Sequence, residues 1–327
     1  MSTGSICIIG GGMDFTAHLT VEACKAIRES QTIFHSGCHD NVRLWLEALG
    51  GDAKILNIDE GYYQIGQFRP DMYKSMADQI VAEATCNRKV VLIEPGSAMV
   101  TDLVTFYTIG LAEKAGITTH IISGISSLEQ IFLTFGIDPS SGLQIILAQE
   151  LVACNVTLNP HLDSIILQPG YYDTLWSAGW AKSTNQRYDS LITSLKRSFS
   201  KNQRMALIRL ATHPEDINHE LWFLLNDFAY LHSVLTPLHS LFIPAIPSTN
   251  KNSDFQQRIH SWETTLSFLE LTKDGLPYQL QFNLVSNNRD LDKACTHLPE
   301  DIQERAVSLS EAWKRERRER ISARLLV

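Results

Sequence analysis

Short apolar runs and helix-length segments take strict turns along the first 135 residues, and that alternation leaves the chain few folds to choose from. The runs lie at 5–9, 32–34, 54–58, 89–93 and 118–122. Between them the apolar positions recur at helical spacing. Thr20 precedes Ala23, Ala26 and Ile27; Asp40 precedes Val42, Trp45, Leu46 and Leu49, with Gly50-Gly51 as the stop; Pro70 precedes Met72, Met76 and Ile80. A further helix is predicted over 102–115, closed by Gly116, and another runs to Phe135, capped by Ser126 or Ser127. Strands separated by helices of ten or more residues form βαβ crossovers, so the expected class is α/β with a mostly parallel sheet.

The pattern loosens after about residue 140. Apolar runs at 143–148, 164–168, 204–210 and 238–243, with polar or helical segments between them, predict a second and less regular α/β lobe. Pro244 to Ser253 reads as a domain end and linker. Residues 255–327 are mainly helical in pattern and end in Lys314-Arg-Glu-Arg-Arg-Glu-Arg320, where interleaved glutamates indicate a solvated helix face. The expected division is 1–122 for an N-terminal lobe, 123–247 for a second lobe and 248–327 for a mainly helical appendage.

Charge and composition exclude several classes. A net charge of -8 argues against general nucleic-acid binding, which neutralises phosphates with a basic surface. No basic residue precedes the apolar stretch at 6–9, so a signal peptide is not expected, and no apolar run nears the ~18 residues of a membrane span. The expected location is the cytoplasm. Cys7, Cys24, Cys38, Cys86, Cys154 and Cys295 form no CxxC pair, and His35-x-x-Cys38-His39 lacks a second ligand pair, so no metal is expected.

Gly10-Gly11-Gly12, between a strand and a helix, permits close backbone approach to a ligand, with helix N-terminal donors nearby. A nucleotide phosphate, an amino-acid carboxylate or a tight turn without ligand all suit it. The spacing is not GxGxxG, since Met13 follows, and the second strand leads into His35-Ser36-Gly37 rather than an acidic residue. Both points count against a dinucleotide.

Ile8-Ile-Gly10-Gly-Gly12-Met13, with Leu19-Thr20 further on, resembles the opening strand and loop of tetrapyrrole methylases. Three more landmarks of that superfamily follow in order: Glu94-Pro95-Gly96-Ser97 after an apolar strand, Gly124-Ile-Ser-Ser127 turning into a helix, and Leu241-Phe-Ile-Pro244 closing a second lobe. Together they cover residues 5 to 247. Tyr63-x5-Arg69-x3-Tyr73 and Phe135-Gly-Ile-Asp-Pro139 are similar to the borosin branch, whose members N-methylate peptide backbones. Glu94 stands where that branch has a histidine.

The resemblance implies a two-lobed fold with S-adenosylmethionine in the crevice between the lobes. The matching cofactor positions are Gly10, Gly12, Glu94, Ser97, Met99, Ser127, Gln168, Leu210, His239 and Ser240. Packing or capping alone would also account for Met99, Leu210 and Ser127. The implied catalytic residues are Tyr63, Arg69 and Tyr73. An amide nitrogen is a poor nucleophile because its lone pair is delocalised into the carbonyl. Methylating it means removing its proton and stabilising charge on the carbonyl oxygen. Arg69, permanently charged, suits the oxyanion; Tyr73 suits the base or a donor to the carbonyl, its phenol acidified by the neighbouring cation, with Tyr63 as its partner or in the exchanged role. The plain alternative is that these side chains only pack the entry to a helix.

Segments 265–275, 288–298 and 300–308 resemble the small helical recognition region of borosin precursors, and 321–327 is apolar enough to be a modified tail. The implied partners are a peptide, either separate or this chain's own tail, and a second copy in a homodimer; no nucleic acid or membrane is expected. Two other readings stay open: a small-molecule or tetrapyrrole C-methyltransferase, and a catalytically silent peptide-binding homologue.

Overall fold

The computed structural model describes residues 4–36, 40–60, 62, 64–86, 88–177, 185–213, 215–248, 253 and 299–324. Five strands, β1 (Ser5–Gly10), β2 (Thr32–His35), β3 (Lys54–Asn57), β4 (Lys89–Glu94) and β5 (Thr118–Ile122), form one sheet in the order β3-β2-β4-β1-β5. Every pairing in it is parallel, as the crossovers predict. Between the strands run α1 (Phe15–His18), α2 (Val21–Arg28), α3 (Asp40–Gly50), α4 (Arg69–Thr85) and α5 (Leu103–Lys114).

The two-residue period of the strands supplies both faces of this sheet. Ile6, Ile8, Val90 and Leu92 pack against Met76, Ile80, Val104 and Ala112 of α4 and α5. Ile9, Val91 and Ile93 point the other way, onto Ala23, Ile27, Val42 and Leu46 of α2 and α3. Helix starts follow their capping residues: Thr20 accepts from the Ala23 N–H at 3.1 Å, and Asp102 from the Val104 N–H at 2.9 Å.

Helix α6 (Ser127–Phe135), capped by Ser126 and ended by Gly136 in the left-handed conformation, leads into the second lobe. There β6 (Leu143–Leu147), α7 (Ala148–Ala153), β7 (Asp163–Leu167), α8 (Asp189–Lys196), β8 (Arg204–Arg209), β9 (His219–Leu224) and β10 (His239–Ile243) build a second sheet, β6-β7-β10-β8-β9. Only β6 and β7 pair in parallel; the others are antiparallel. Strand β9 is not among the runs that the sequence singles out, yet it carries the fully buried Trp222. Met13 and Val100 from the first lobe pack into the cluster formed by α6 and the second sheet, which joins the two lobes.

Helix α9 (Glu300–Arg324) is the described part of the C-terminal region. It agrees with the helical pattern but is more than an appendage: Trp313 is 3% exposed, 5.1 Å from the Trp222 ring and 5.5 Å from that of Phe242. Arg305 pairs with Asp227 at 2.8 Å and Glu316 with Arg204 at 2.6 Å. The expected solvated face is therefore partly engaged, since Glu316 reaches the sheet. Segments 265–275 and 288–298 lie outside the described residues. Among the described residues, no helix is long and apolar enough to cross a membrane.

Candidate active site

The loops that leave β1, β4 and β5 meet at the carboxyl ends of the first sheet. The Gly11 N–H donates to the Glu94 carbonyl at 2.7 Å, and Gly12 and Gly96 exchange two backbone hydrogen bonds of 3.0 and 2.7 Å. A Cβ at Gly10 would lie 2.7 Å from the Gly124 nitrogen, and one at Gly124 only 2.1 Å from the Gly10 oxygen. Three backbones thus touch where no side chain fits. Gly12 and Gly96 also take φ of 75° and 70°, conformations that other residues seldom adopt. The product is a floor of bare backbone at the strand ends, where open parallel sheets receive ligands.

Beside this floor lies a cavity of about 630 Å³, on the α4 and α5 side of the sheet. Its lining comes from the ends of β2, β3 and β4 (Ser36, Asp59, Glu60, Glu94, Pro95), from Tyr73 and Met76 of α4, and from 100–104. Four acidic residues, Asp59, Glu60, Glu94 and Asp102, are among its described lining residues, and no Lys, Arg or His is.

Glu94 is the most constrained of these groups. It is 4% exposed; one carboxyl oxygen accepts from the Ser36 hydroxyl, and Oε1 has no hydrogen-bond partner among the described residues. Burial pushes its pKa well above the usual carboxylate range, and the charges of Asp102 and Asp59 push it further, against the opposing Ser36 bond. Burial and the neighbouring carboxylates therefore favour the protonated form of Glu94. Burial also raises Asp102, though its bonds to Thr105 and Val104 at the start of α5 restrain the shift.

Of the three expected catalytic residues, Tyr73 lines the cavity. Arg69 begins α4 one turn earlier but turns toward the second lobe. Its guanidinium lies 3.9 Å from the centre of the Tyr171 ring and donates to the Thr174 carbonyl at 2.5 Å. Its Nε is buried with no partner among the described residues. Tyr63 lies outside the described residues. The α4 entry is tied to the second lobe by a short antiparallel contact: Arg69 N–H to Leu175 O at 2.8 Å, Ser177 N–H to Gln67 O at 2.8 Å, and Phe68 bridged to Trp176.

The expected cofactor positions fall into two groups. Gly10, Gly12, Glu94 and Ser127 converge on the glycine floor, with the Ser127 nitrogen 3.9 Å from where a Gly96 Cβ would stand. Ser97 and Met99 follow on the β4 loop, Met99 being 48% exposed and Ser97 Oγ accepting from its N–H at 3.4 Å. The second group sits on neighbouring strands of the second sheet. Gln168 follows β7 in the left-handed conformation at φ 51°, and Ser240 pairs with Leu167 and Ile208. His239 accepts from the Thr236 N–H at 3.1 Å, and burial lowers its pKa to about 4, so its ring is neutral. Leu210 is 7% exposed and packs in the core.

A sulfonium nucleoside of the kind the resemblance implies fits these residues on two observations. The floor leaves room beside Gly96, where an added Cβ would meet nothing nearer than Met13 Sδ at 3.8 Å and Ser127 N at 3.9 Å, and the raised pKa of the buried Glu94 disfavours a charge set against that ligand's own carboxylate. The sequence did not single out Ser36, Asp59, Glu60, Thr101 or Asp102. Each except Thr101 and Asp102 lies within three residues after a strand of the parallel sheet, and that position is itself the signal.

A profile of the family described as Tetrapyrrole (Corrin/Porphyrin) Methylases matches residues 5–216. A methyltransferase/ribosomally synthesized type I borosin cyclic peptide precursor from Gymnopilus junonius is 27% identical over 202 residues, 61% of this chain and 46% of that protein. A second such precursor, from Mycena rosella, is 25% identical over 228 residues, 68% of this chain and 55% of that protein. The chain thus spans about half the length of the curated relatives it matches. Among solved structures, a uroporphyrin-III-C-methyltransferase from Thermus thermophilus superposes with a TM-score of 0.52 at 16% identity, covering 73% of this chain and 94% of that one, a likeness of fold.

Proposed function

This chain belongs to the tetrapyrrole methylase family, and from that premise we propose that it is an S-adenosylmethionine-dependent methyltransferase that methylates backbone amide nitrogens of a peptide. The observation that carries this reading is the junction of Gly10, Gly96 and Gly124 beside a cavity lined by Tyr73 and the buried Glu94. The curated relatives, whose names join a methyltransferase to a borosin precursor, support the peptide acceptor.

The glycine floor with Gln168, His239 and Ser240 would hold S-adenosylmethionine, which would supply an electrophilic methyl group. This chain's residues prepare the acceptor. The Arg69 Nε–H, buried with no partner among the described residues, is a donor suited to an amide carbonyl oxygen, on which charge grows as the nitrogen loses its proton. Tyr73, one helical turn on, takes that proton, and Tyr63 completes the pair. Tyr171 and Thr174 hold the guanidinium in place. The acidic cavity repels a carboxylate-bearing macrocycle, which favours a peptide over a tetrapyrrole.

The acceptor is a separate peptide or this chain's own C-terminal tail; the enzyme works as a homodimer in the cytoplasm and is divided into lobes at 1–122 and 123–247 with a C-terminal region at 248–327. The test is calorimetry with S-adenosylmethionine followed by intact mass. Methyl increments on the chain identify self-methylation, and increments on a co-expressed peptide identify a separate acceptor. Absence of cofactor binding at millimolar concentration supports a silent homologue instead.

A further inference from the structure

The parallel sheet places two openings on either side of one strand end. In the order β3-β2-β4-β1-β5, the glycine floor spans the ends of β4, β1 and β5, whereas the cavity spans β3, β2 and β4. Glu94, the last residue of β4, belongs to both. Taking the glycine floor as the methyl donor's side, as the proposed function does, the cavity is the acceptor's side.

The chemistry of that cavity is one-sided. Asp59, Glu60, Glu94 and Asp102 line it, with the hydroxyls of Ser36, Thr101 and Tyr73 between them. Acidic groups clustered on a surface are usually solvated and carry no meaning. Glu94 differs, because it lines the cavity, is only 4% exposed, and has a buried Oε1 with no hydrogen-bond partner among the described residues. A buried oxygen without a donor costs free energy that a donor-bearing ligand recovers. Thr101 adds to the picture. It holds φ at 59°, a conformation disfavoured for a β-branched residue, beside Asp102 on the same wall.

We propose that this cavity binds a cationic group of the acceptor, a primary ammonium or guanidinium side chain close to the amide that is methylated. The three outer carboxylates attract the charge into the low-dielectric space, and Oε1 of Glu94 accepts one of its N–H donors. Burial and the neighbouring carboxylates raise the Glu94 pKa; an entering cation opposes that shift, and a proton that Glu94 then releases passes to solvent. The acceptor class is thus a basic peptide, which neither family membership nor the relatives' names specify. This inference rests on the peptide reading above.

The experiment uses the full chain saturated with S-adenosylhomocysteine and three blocked tripeptides, acetyl-Ala-X-Ala-amide, in which X is lysine, norleucine or glutamate. Titration calorimetry in two buffers of different ionisation heat measures affinity and proton release. The lysyl peptide is expected to bind roughly tenfold more tightly than the norleucyl one, with protons released, and the glutamyl peptide not at all. Asp59→Asn combined with Glu94→Gln should reduce the preference for lysine to about twofold or less and abolish proton release. Equal affinity for lysine and norleucine, or no binding of the lysyl peptide at millimolar concentration, overturns the proposal. So does a double variant that keeps its lysine preference but loses discrimination between S-adenosylmethionine and S-adenosylhomocysteine, because the carboxylates would then serve the donor's sulfonium. If the double variant fails to fold, the comparison of lysine with norleucine on the unaltered chain still decides. Cofactor binding, measured first in the same cell, separates the two conclusions: its failure refutes the methyltransferase, whereas binding without cation preference refutes only the acceptor class.

Discussion

Ser36 donates its hydroxyl to one oxygen of the Glu94 carboxyl, from the end of the strand next to β4, while the other oxygen of that carboxyl is buried with no hydrogen-bond partner among the described residues. A carboxyl held in this way favours its protonated form, and that preference makes stability depend on pH.

For Glu94 the folded pKa lies above the unfolded one, so the folded state binds the extra proton. Its contribution to stability is full below the ordinary carboxylate value and is lost as pH rises through the elevated one. Glu94→Gln, which keeps the shape and the neutrality, should match the unaltered chain near pH 5 and exceed it in alkaline buffer. Denaturant midpoints collected across that range test this; parallel curves would mean that Glu94 is ionised in the folded protein.

Arg69→Ala removes the guanidinium that Tyr171 and Thr174 hold. Methyl transfer should fall roughly 100-fold or more, as for loss of an oxyanion donor, while S-adenosylmethionine affinity stays nearly unchanged. Stability should drop by about 1–3 kcal/mol from the lost cation–π contact and hydrogen bond. Retention of most of the turnover would remove Arg69 from the mechanism.

His239 is a second, opposite titration. Its folded pKa is lowered from 6.5 to about 4, chiefly by burial. Stability is complete above the unfolded value and declines as pH falls through the interval, by on the order of 3 kcal/mol in all. His239→Gln should flatten the acid limb between pH 6.5 and 4. A limb as steep as before would assign the acid loss to other groups.

Trp313 fills the space against Trp222 and Phe242. Its truncation to alanine should cost about 3–5 kcal/mol, whereas alanine at the exposed Arg315 on the same helix should stay within about 0.5 kcal/mol. Equal effects in chemical unfolding would show that α9 is not part of the second lobe's core.

Much of this arrangement is legible along the chain, because its signals are local. The strands β1 to β5, the cap at Thr20 and the approach of glycines to a strand end all follow from periodicities of two and 3.6 residues, from capping chemistry and from backbone conformations reserved for glycine. The same locality puts Arg69 and Tyr73 one turn apart on α4. It misses β9, an edge strand whose fate depends on β8 beside it, and it treats the C-terminal helix as an appendage because the rings that receive Trp313 lie about 70 to 90 positions earlier in the chain.

What the order of residues determined by itself, then, was the list of elements and the family resemblance, since each rests on neighbours a few positions apart. The tertiary structure alone decided that β4 stands between β2 and β1, that Glu94 therefore joins Ser36, Asp59 and Asp102 in a shared cavity, and that Arg69 reaches Thr174. Those groups are far apart in the chain, and only strand order and side-chain packing bring their charges close enough to shift one another's protonation.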